Sequence, residues 1–104
     1  MLLSASRGTP DAGFPRAYEA FESRGVRLVE PSGGVVPVGT AQRFSLRAPG
    51  ALDVAVVTGG RWIHLTRTGE EFAGEVRVVR GSVVVYAKYS ANGQFVGLLR
   101  YAAR

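Results

Sequence analysis

The sequence predicts an all-β protein: an antiparallel sandwich of seven strands preceded by a short amphipathic helix. Three observations carry that expectation. Beyond Gly25, apolar and polar residues alternate with period two, as strands with one buried face require. The pairs Pro49-Gly50, Gly59-Gly60, Thr68-Gly69, Arg80-Gly81 and Asn92-Gly93 interrupt the alternation where hairpin turns would fall. A chain of 104 residues with no cysteine has room for one core and no disulfide framework.

The N-terminal segment, residues 1–25, follows a different period. Phe14, Tyr18 and Phe21 recur at spacings of four and three, while Arg16, Glu19, Glu22 and Ser23 fill the other side. This predicts a helix within residues 9–24, with Pro15 in its first turn and Gly25 at its C-terminal cap. So few turns are marginal in water alone, so the aromatic stripe is expected to dock on the sandwich. The sandwich itself is expected over residues 26–104. Its strands are read at 26–30, 42–48, 52–58, 61–66, 71–79, 82–90 and 94–102, with a short edge piece at 35–38.

Alternation assigns the faces. Phe44 and Leu46, then Phe72, Val76 and Val78, then Val83, Val85 and Ala87, then Phe95, Leu99 and Tyr101 point into the core. A two-residue turn at Gly59-Gly60 pairs Val57 with Trp62, Val56 with Ile63, Ala55 with His64 and Val54 with Leu65. Val54, Val56, Ile63 and Leu65 then face inward. Val57, Trp62 and His64 face outward, joined by Val84, Tyr86, Lys88, Val96 and Leu98 from the two neighbouring strands. That much apolar area wants a cover: the N-terminal stripe, a partner domain or a second copy of the chain. For Trp62 the favoured alternative is a bulge that turns it into the core, as in sandwiches with a buried tryptophan.

Reactive chemistry finds little to work with. Without cysteine there is no thiol nucleophile and no cysteine-held zinc or iron–sulfur site. His64 is the one histidine; Ala55 is its cross-strand neighbour, and Asp53, at a diagonal of roughly 7–8 Å, is expected to lie beyond hydrogen-bond reach. Eight scattered carboxylates suggest no metal cage, and Glu30, Asp53 and Glu75 do not announce a glycosidase pair. Ser32-Gly33-Gly34 and Thr58-Gly59-Gly60 read as turns, since neither opens a helix or precedes Gly-Lys-Ser/Thr. The chain is therefore expected not to be an enzyme and to need no cofactor.

Charge points in the same direction. The 13 basic and 8 acidic residues give +5, with all of the excess in residues 31–104. The basic residues stand singly and do not alternate with exposed aromatics, so nucleic-acid binding is not expected. No stretch approaches the roughly 20 apolar residues of a membrane span, and Met1-Leu2-Leu3 is too short for a signal peptide, which favours a cytoplasmic protein.

The order of residues is similar to a known family. Phe14-Pro15, Tyr18, Phe21, Gly25 and Leu28, then Pro31, Val38-Gly39, Phe44, Pro49-Gly50-Ala51, Val54, Val56, Trp62 and Leu65 are followed by Gly69, Phe72, Gly74, Gly81, Val83, Val85, Leu99 and Tyr101. Together they resemble the immunoglobulin-like early-set sandwich that accompanies transglutaminase-like domains of the kyphoscoliosis-peptidase type. That family's Cys-His-Asp triad lies in a separate domain, so the resemblance implies a non-catalytic accessory module that meets a protein partner or neighbouring domain. A homodimer is a further possibility. The stretches Gly59-Gly60-Arg61-Trp62, Phe72-Ala73-Gly74 and Gly81-Ser82-Val83 also resemble glycogen-binding early-set domains, which implies carbohydrate as the alternative ligand. The expected binding residues are Trp62, Val84 and Tyr86 for a protein partner, and for carbohydrate Trp62, stacking on a sugar ring, with His64, Lys88 or Asn92 bonding its hydroxyls.

Overall fold

The computed structural model describes residues 13–104. Its elements are β1 (Arg16–Ala17), α1 (Glu19–Ser23), β2 (Arg27–Glu30), β3 (Val35–Val36), β4 (Ala41–Arg47), β5 (Asp53–Thr58), β6 (Arg61–His64), β7 (Thr66–Thr68), β8 (Glu71–Arg77), β9 (Gly81–Lys88) and β10 (Val96–Ala103). They form two stacked sheets. The larger runs β1-β10-β9-β5-β6, with β3 also on β10, and the smaller runs β2-β4-β8-β7. Every pairing is antiparallel except that of β3 with Ala102 and Ala103. The chain thus starts on the edge of the larger sheet with β1, passes to the smaller sheet with β2, and returns to the larger one with β3 after Glu30, where the Glu30–Pro31 peptide bond is cis.

Seven of these strands have four or more residues and lie within two residues of the expected segments. One expected segment is divided. Residues 61–66 were expected to be a single strand, yet β6 ends at His64 in the larger sheet and β7 begins at Thr66 in the smaller. The step is Leu65, 7% exposed, which enters the core while its N–H donates to the Val54 carbonyl at 2.9 Å. One buried side chain between two sheets lets a single segment edge both of them.

The helix is much shorter than the periodicity suggests. Residues 9–12 of the expected helix lie outside the described residues, and Pro15 does not open a helical turn. Arg16 and Ala17 instead pair with Arg100 and Leu99, and Tyr18, extended at φ −87° and ψ 168°, donates its N–H to the Leu98 carbonyl at 2.9 Å. The free edge of β10 offers those backbone groups ready partners, which a helix of so few turns cannot match. Gly25 does close α1. At φ +67° it donates to the Glu22 carbonyl, and Val26 donates to that of Phe21, each at 3.0 Å, which is the double bond of a Schellman cap. With residues 16–18 extended, the three aromatics no longer share one stripe. Phe21 packs against the core and meets Phe14 edge-on at 6.1 Å, while Tyr18 lies over Gly97.

The core fills the space between the sheets as alternation requires, with Phe44, Leu46, Val54, Val56, Phe72, Val83, Val85 and Tyr101 almost wholly buried. Two expectations fail, both near the start of β10. Leu98, expected outside, is fully buried beside Leu99. The register passes from Gly97↔Tyr86 to Leu99↔Val85, so Leu98 is the extra residue of a bulge, which swings it inward. Phe95, expected inside, precedes the strand and turns its ring onto the outer face. Gly93 likewise departs from the positive-φ turn expected at Asn92-Gly93, and its N–H donates to the Ser90 carbonyl at 3.1 Å.

At the β5–β6 turn both Gly59 (φ +57°) and Gly60 (φ +77°) occupy the left-handed region of a type I′ hairpin. Gly59→Ala should therefore cost about 1–2 kcal/mol, read as a lower urea midpoint, because alanine resists that φ. Its Cβ would also stand 2.7 Å from Cγ2 of Val79, an exposed side chain that can rotate aside.

Tyr101 brings a pH dependence. Its ring meets Phe44 edge-on at 5.4 Å and its hydroxyl donates to the Pro31 carbonyl at 2.8 Å. Burial pushes that hydroxyl well above its ordinary pKa of 10.0. The folded state therefore favours the neutral phenol. Its contribution is full below pH 10.0 and falls as pH rises toward the folded value. Tyr101→Phe should cost about 1–2 kcal/mol near neutral pH, by leaving the Pro31 carbonyl unpaired. It should also flatten the alkaline decline of stability, measured by urea denaturation from neutral pH to about pH 11.

Candidate functional site

Cross-strand registers lay the outward side chains of the larger sheet in rows. One row runs Arg16, Arg100, Val84, Val57 and Trp62; the next runs Gly97, Tyr86, Ala55 and His64; Lys88 and Asp53 begin a third. Period-two alternation puts all of these on the face turned away from the core. Ala55 is the small residue at the middle of the face, and it is wholly buried although it points outward, because His64 and Tyr86 flank it.

Around it the aromatic side chains gather. Trp62 stacks on Tyr86 with ring centroids 5.1 Å apart and an interplanar angle of 25°, and Phe95 meets Trp62 at 5.2 Å and 61°. Phe95 also reaches the His64 ring at 6.3 Å and lies 5.9 Å from Nζ of Lys88. The favoured inward turn of Trp62 does not occur: β5 and β6 pair without a break from Ala55↔His64 to Thr58↔Arg61, and Trp62 remains 48% exposed. No bulge is present to rotate it.

The distance expected between Asp53 and His64 is also corrected. Nδ1 of His64 and Oδ2 of Asp53 are hydrogen-bonded at 2.9 Å. A diagonal pair on one face can meet because the right-handed twist closes one diagonal and both side chains extend above the sheet. Asp53 fixes the imidazole by its Nδ1 edge and leaves Nε2 for another partner. The pair lies open on the sheet, with side-chain exposures of 54% and 33%, and among the described residues no hydroxyl is bonded to His64. Such an arrangement can present a hydrogen-bonding ring to a ligand.

A groove of about 490 Å³ opens beside this cluster, lined by Tyr18, Glu19, Ala20, Val84, Tyr86, Val96 and Gly97. Gly97 lets the ring lie close: a Cβ there would stand 3.1 Å from the Tyr18 ring, which would have to move off β10 by a few tenths of an ångström. The N-terminal segment thus walls one side of Val84 and Tyr86 and leaves Trp62 uncovered.

Of the expected site residues, Trp62, His64, Tyr86 and Lys88 converge around Phe95, while Val84 belongs to the groove. Residue-by-residue reading missed Phe95, Asp53 and Tyr18. The signal for Phe95 is its place just before a strand and after Asn92-Gly93, where alternation has no force. Among the described residues no three acidic or histidine side chains gather as metal ligands do, and no helix is long and apolar enough to cross a membrane. No family model matches the chain, and no curated protein does.

Proposed function

We propose that the chain is a non-catalytic, immunoglobulin-like accessory module that binds a protein partner through the outer face of its larger sheet, centred on Trp62. The observation that carries this reading is the Trp62–Tyr86–Phe95 cluster, held outside the core next to His64, Asp53 and Lys88. Half-exposed aromatic rings inside a polar rim are the composition of protein-binding hot spots. The fold reading is supported by strand order: β2-β4-β8-β7 opposite β10-β9-β5 follows the two sheets of immunoglobulin-type sandwiches, with β2 and β3 dividing the entering segment between them. The non-catalytic reading is supported by the lack of cysteine and the open position of the single histidine. The family resemblance suggests a transglutaminase-like domain as partner.

Sedimentation velocity tests the docking face. Tyr86→Glu puts a charge beneath Trp62 and should abolish the complex with a purified transglutaminase-like domain, with the sandwich still folded. A complex of unchanged affinity in Tyr86→Glu contradicts the reading. Concentration-dependent dimers of the chain alone, lost in the same variant, would identify a second copy as the occupant.

One observation favours carbohydrate as a second reading. Phe95 gives Trp62 an aromatic companion, and His64, Asp53 and Lys88 supply hydrogen-bonding groups at the edge, the combination that holds a sugar ring. Retention of the wild type on immobilised glucan, lost in Trp62→Ala, would support it; failure of the wild type to be retained removes it.

A further inference from the structure

We infer that Arg16 and Arg100 form a binding site for a phosphate monoester whose neutral, apolar body lies in the groove between Tyr18 and Tyr86. The two arginines stand directly opposite each other in the β1–β10 pair, so both project from the same outer face. Every other described arginine is exposed; these two are half-buried. Like charges opposed across a ladder are destabilising, and half-burial sharpens the repulsion. Two of the exposed arginines have ion pairs, Arg43 with Glu30 and Arg47 with Glu70. Among the described residues neither Arg16 nor Arg100 has an ion pair or a side-chain hydrogen bond, and Nε of Arg100 is buried with no partner at all. A buried donor without an acceptor, beside a second cation with no counter-charge, is costly, and an oxyanion would offset that cost.

The position ties this pair to the groove. The Arg16 guanidinium sits 5.3 Å from the centre of the Tyr18 ring, and Arg100 is paired with Val84; Tyr18 and Val84 both line the groove. Two guanidinium groups on opposed residues of one ladder are matched in charge by a dianion with several oxygens, as a phosphate monoester is near neutral pH, whereas one carboxylate offsets only one of them. Tyr18, Tyr86, Val84 and Val96 offer an apolar or aromatic body its contacts. Glu19 also lines the groove and repels a second anionic group, so the body must be neutral.

Phenyl phosphate is the probe, titrated into the full 104-residue chain and followed by amide NMR. Saturable shifts are expected at Arg16, Tyr18, Tyr86 and Arg100. Arg16→Gln and Arg100→Gln should each weaken binding by roughly 10- to 100-fold. Inorganic phosphate should bind the same arginines more weakly, and phenol should not shift them. The absence of saturation with phenyl phosphate, or equal affinity in the wild type and both variants, overturns the site. Equal affinity for phenyl phosphate and inorganic phosphate overturns the role of the groove. Arg16 lies on a two-residue edge strand, so Arg16→Gln is read even if Arg100→Gln does not fold.

Discussion

Phe44→Ala should lower the stability of this protein by about 3–5 kcal/mol, a large part of the total margin of a small domain. The ring is 1% exposed and meets Tyr101, from the opposite sheet, edge-on at 5.4 Å. Its cross-strand partner is Gly74, which has no side chain to move into the space, and Leu65 already rests against that glycine. Tyr101 cannot follow the lost ring either, because its hydroxyl is tied to the Pro31 carbonyl. The cavity therefore stays open, and its cost adds to the lost apolar burial. Urea denaturation at neutral pH measures the change. A loss below about 1 kcal/mol would mean that contacts between the sheets are not what holds them together.

Trp62→Ala should have the opposite profile, with little change in stability and a large change in binding. At 48% exposure the indole adds modestly to the fold, and removing it should shift stability by about 1 kcal/mol or less. It is, however, the ring on which Tyr86 stacks and against which Phe95 rests. Affinity for the partner of this face should fall at least roughly 30-fold, as expected when a central aromatic anchor is truncated. Parallel denaturation and binding measurements separate the two effects. A variant that unfolds readily and binds normally would place Trp62 in the structural core.

Much of the fold is legible because strands with one dry face must alternate. The turn at Gly59-Gly60 sets the register of β5 and β6, so the pairs from Ala55↔His64 to Thr58↔Arg61 follow directly from residue count. The outward position of Trp62 follows from the same count, and the expectation of an inward turn fails because no bulge interrupts it. Leu98 shows the converse. A single extra residue in β10 reverses its face, and nothing in the local composition marks a bulge.

The N-terminal segment misleads for a different reason. Phe14, Tyr18 and Phe21 have helical spacing, but Arg16 and Ala17 can bond to the open edge of β10, and long-range backbone pairing outweighs a few residues of periodicity. The candidate site depends on such long-range geometry throughout. The His64–Asp53 bond comes from strand twist, and the Arg16–Arg100 pair from two strands more than eighty residues apart in sequence. Periodicity places a side chain on a face; which neighbours it meets there is decided by twist, register and the length of each side chain.

Trp62 is the only tryptophan in the chain, so its fluorescence reports one position without ambiguity. Collisional quenching by iodide in the native protein should reach it readily, and occupation of the outer face by a partner or ligand should shield it. A blue-shifted emission that iodide cannot quench until the protein unfolds would contradict an outward Trp62, and the binding face built around it would fall with it.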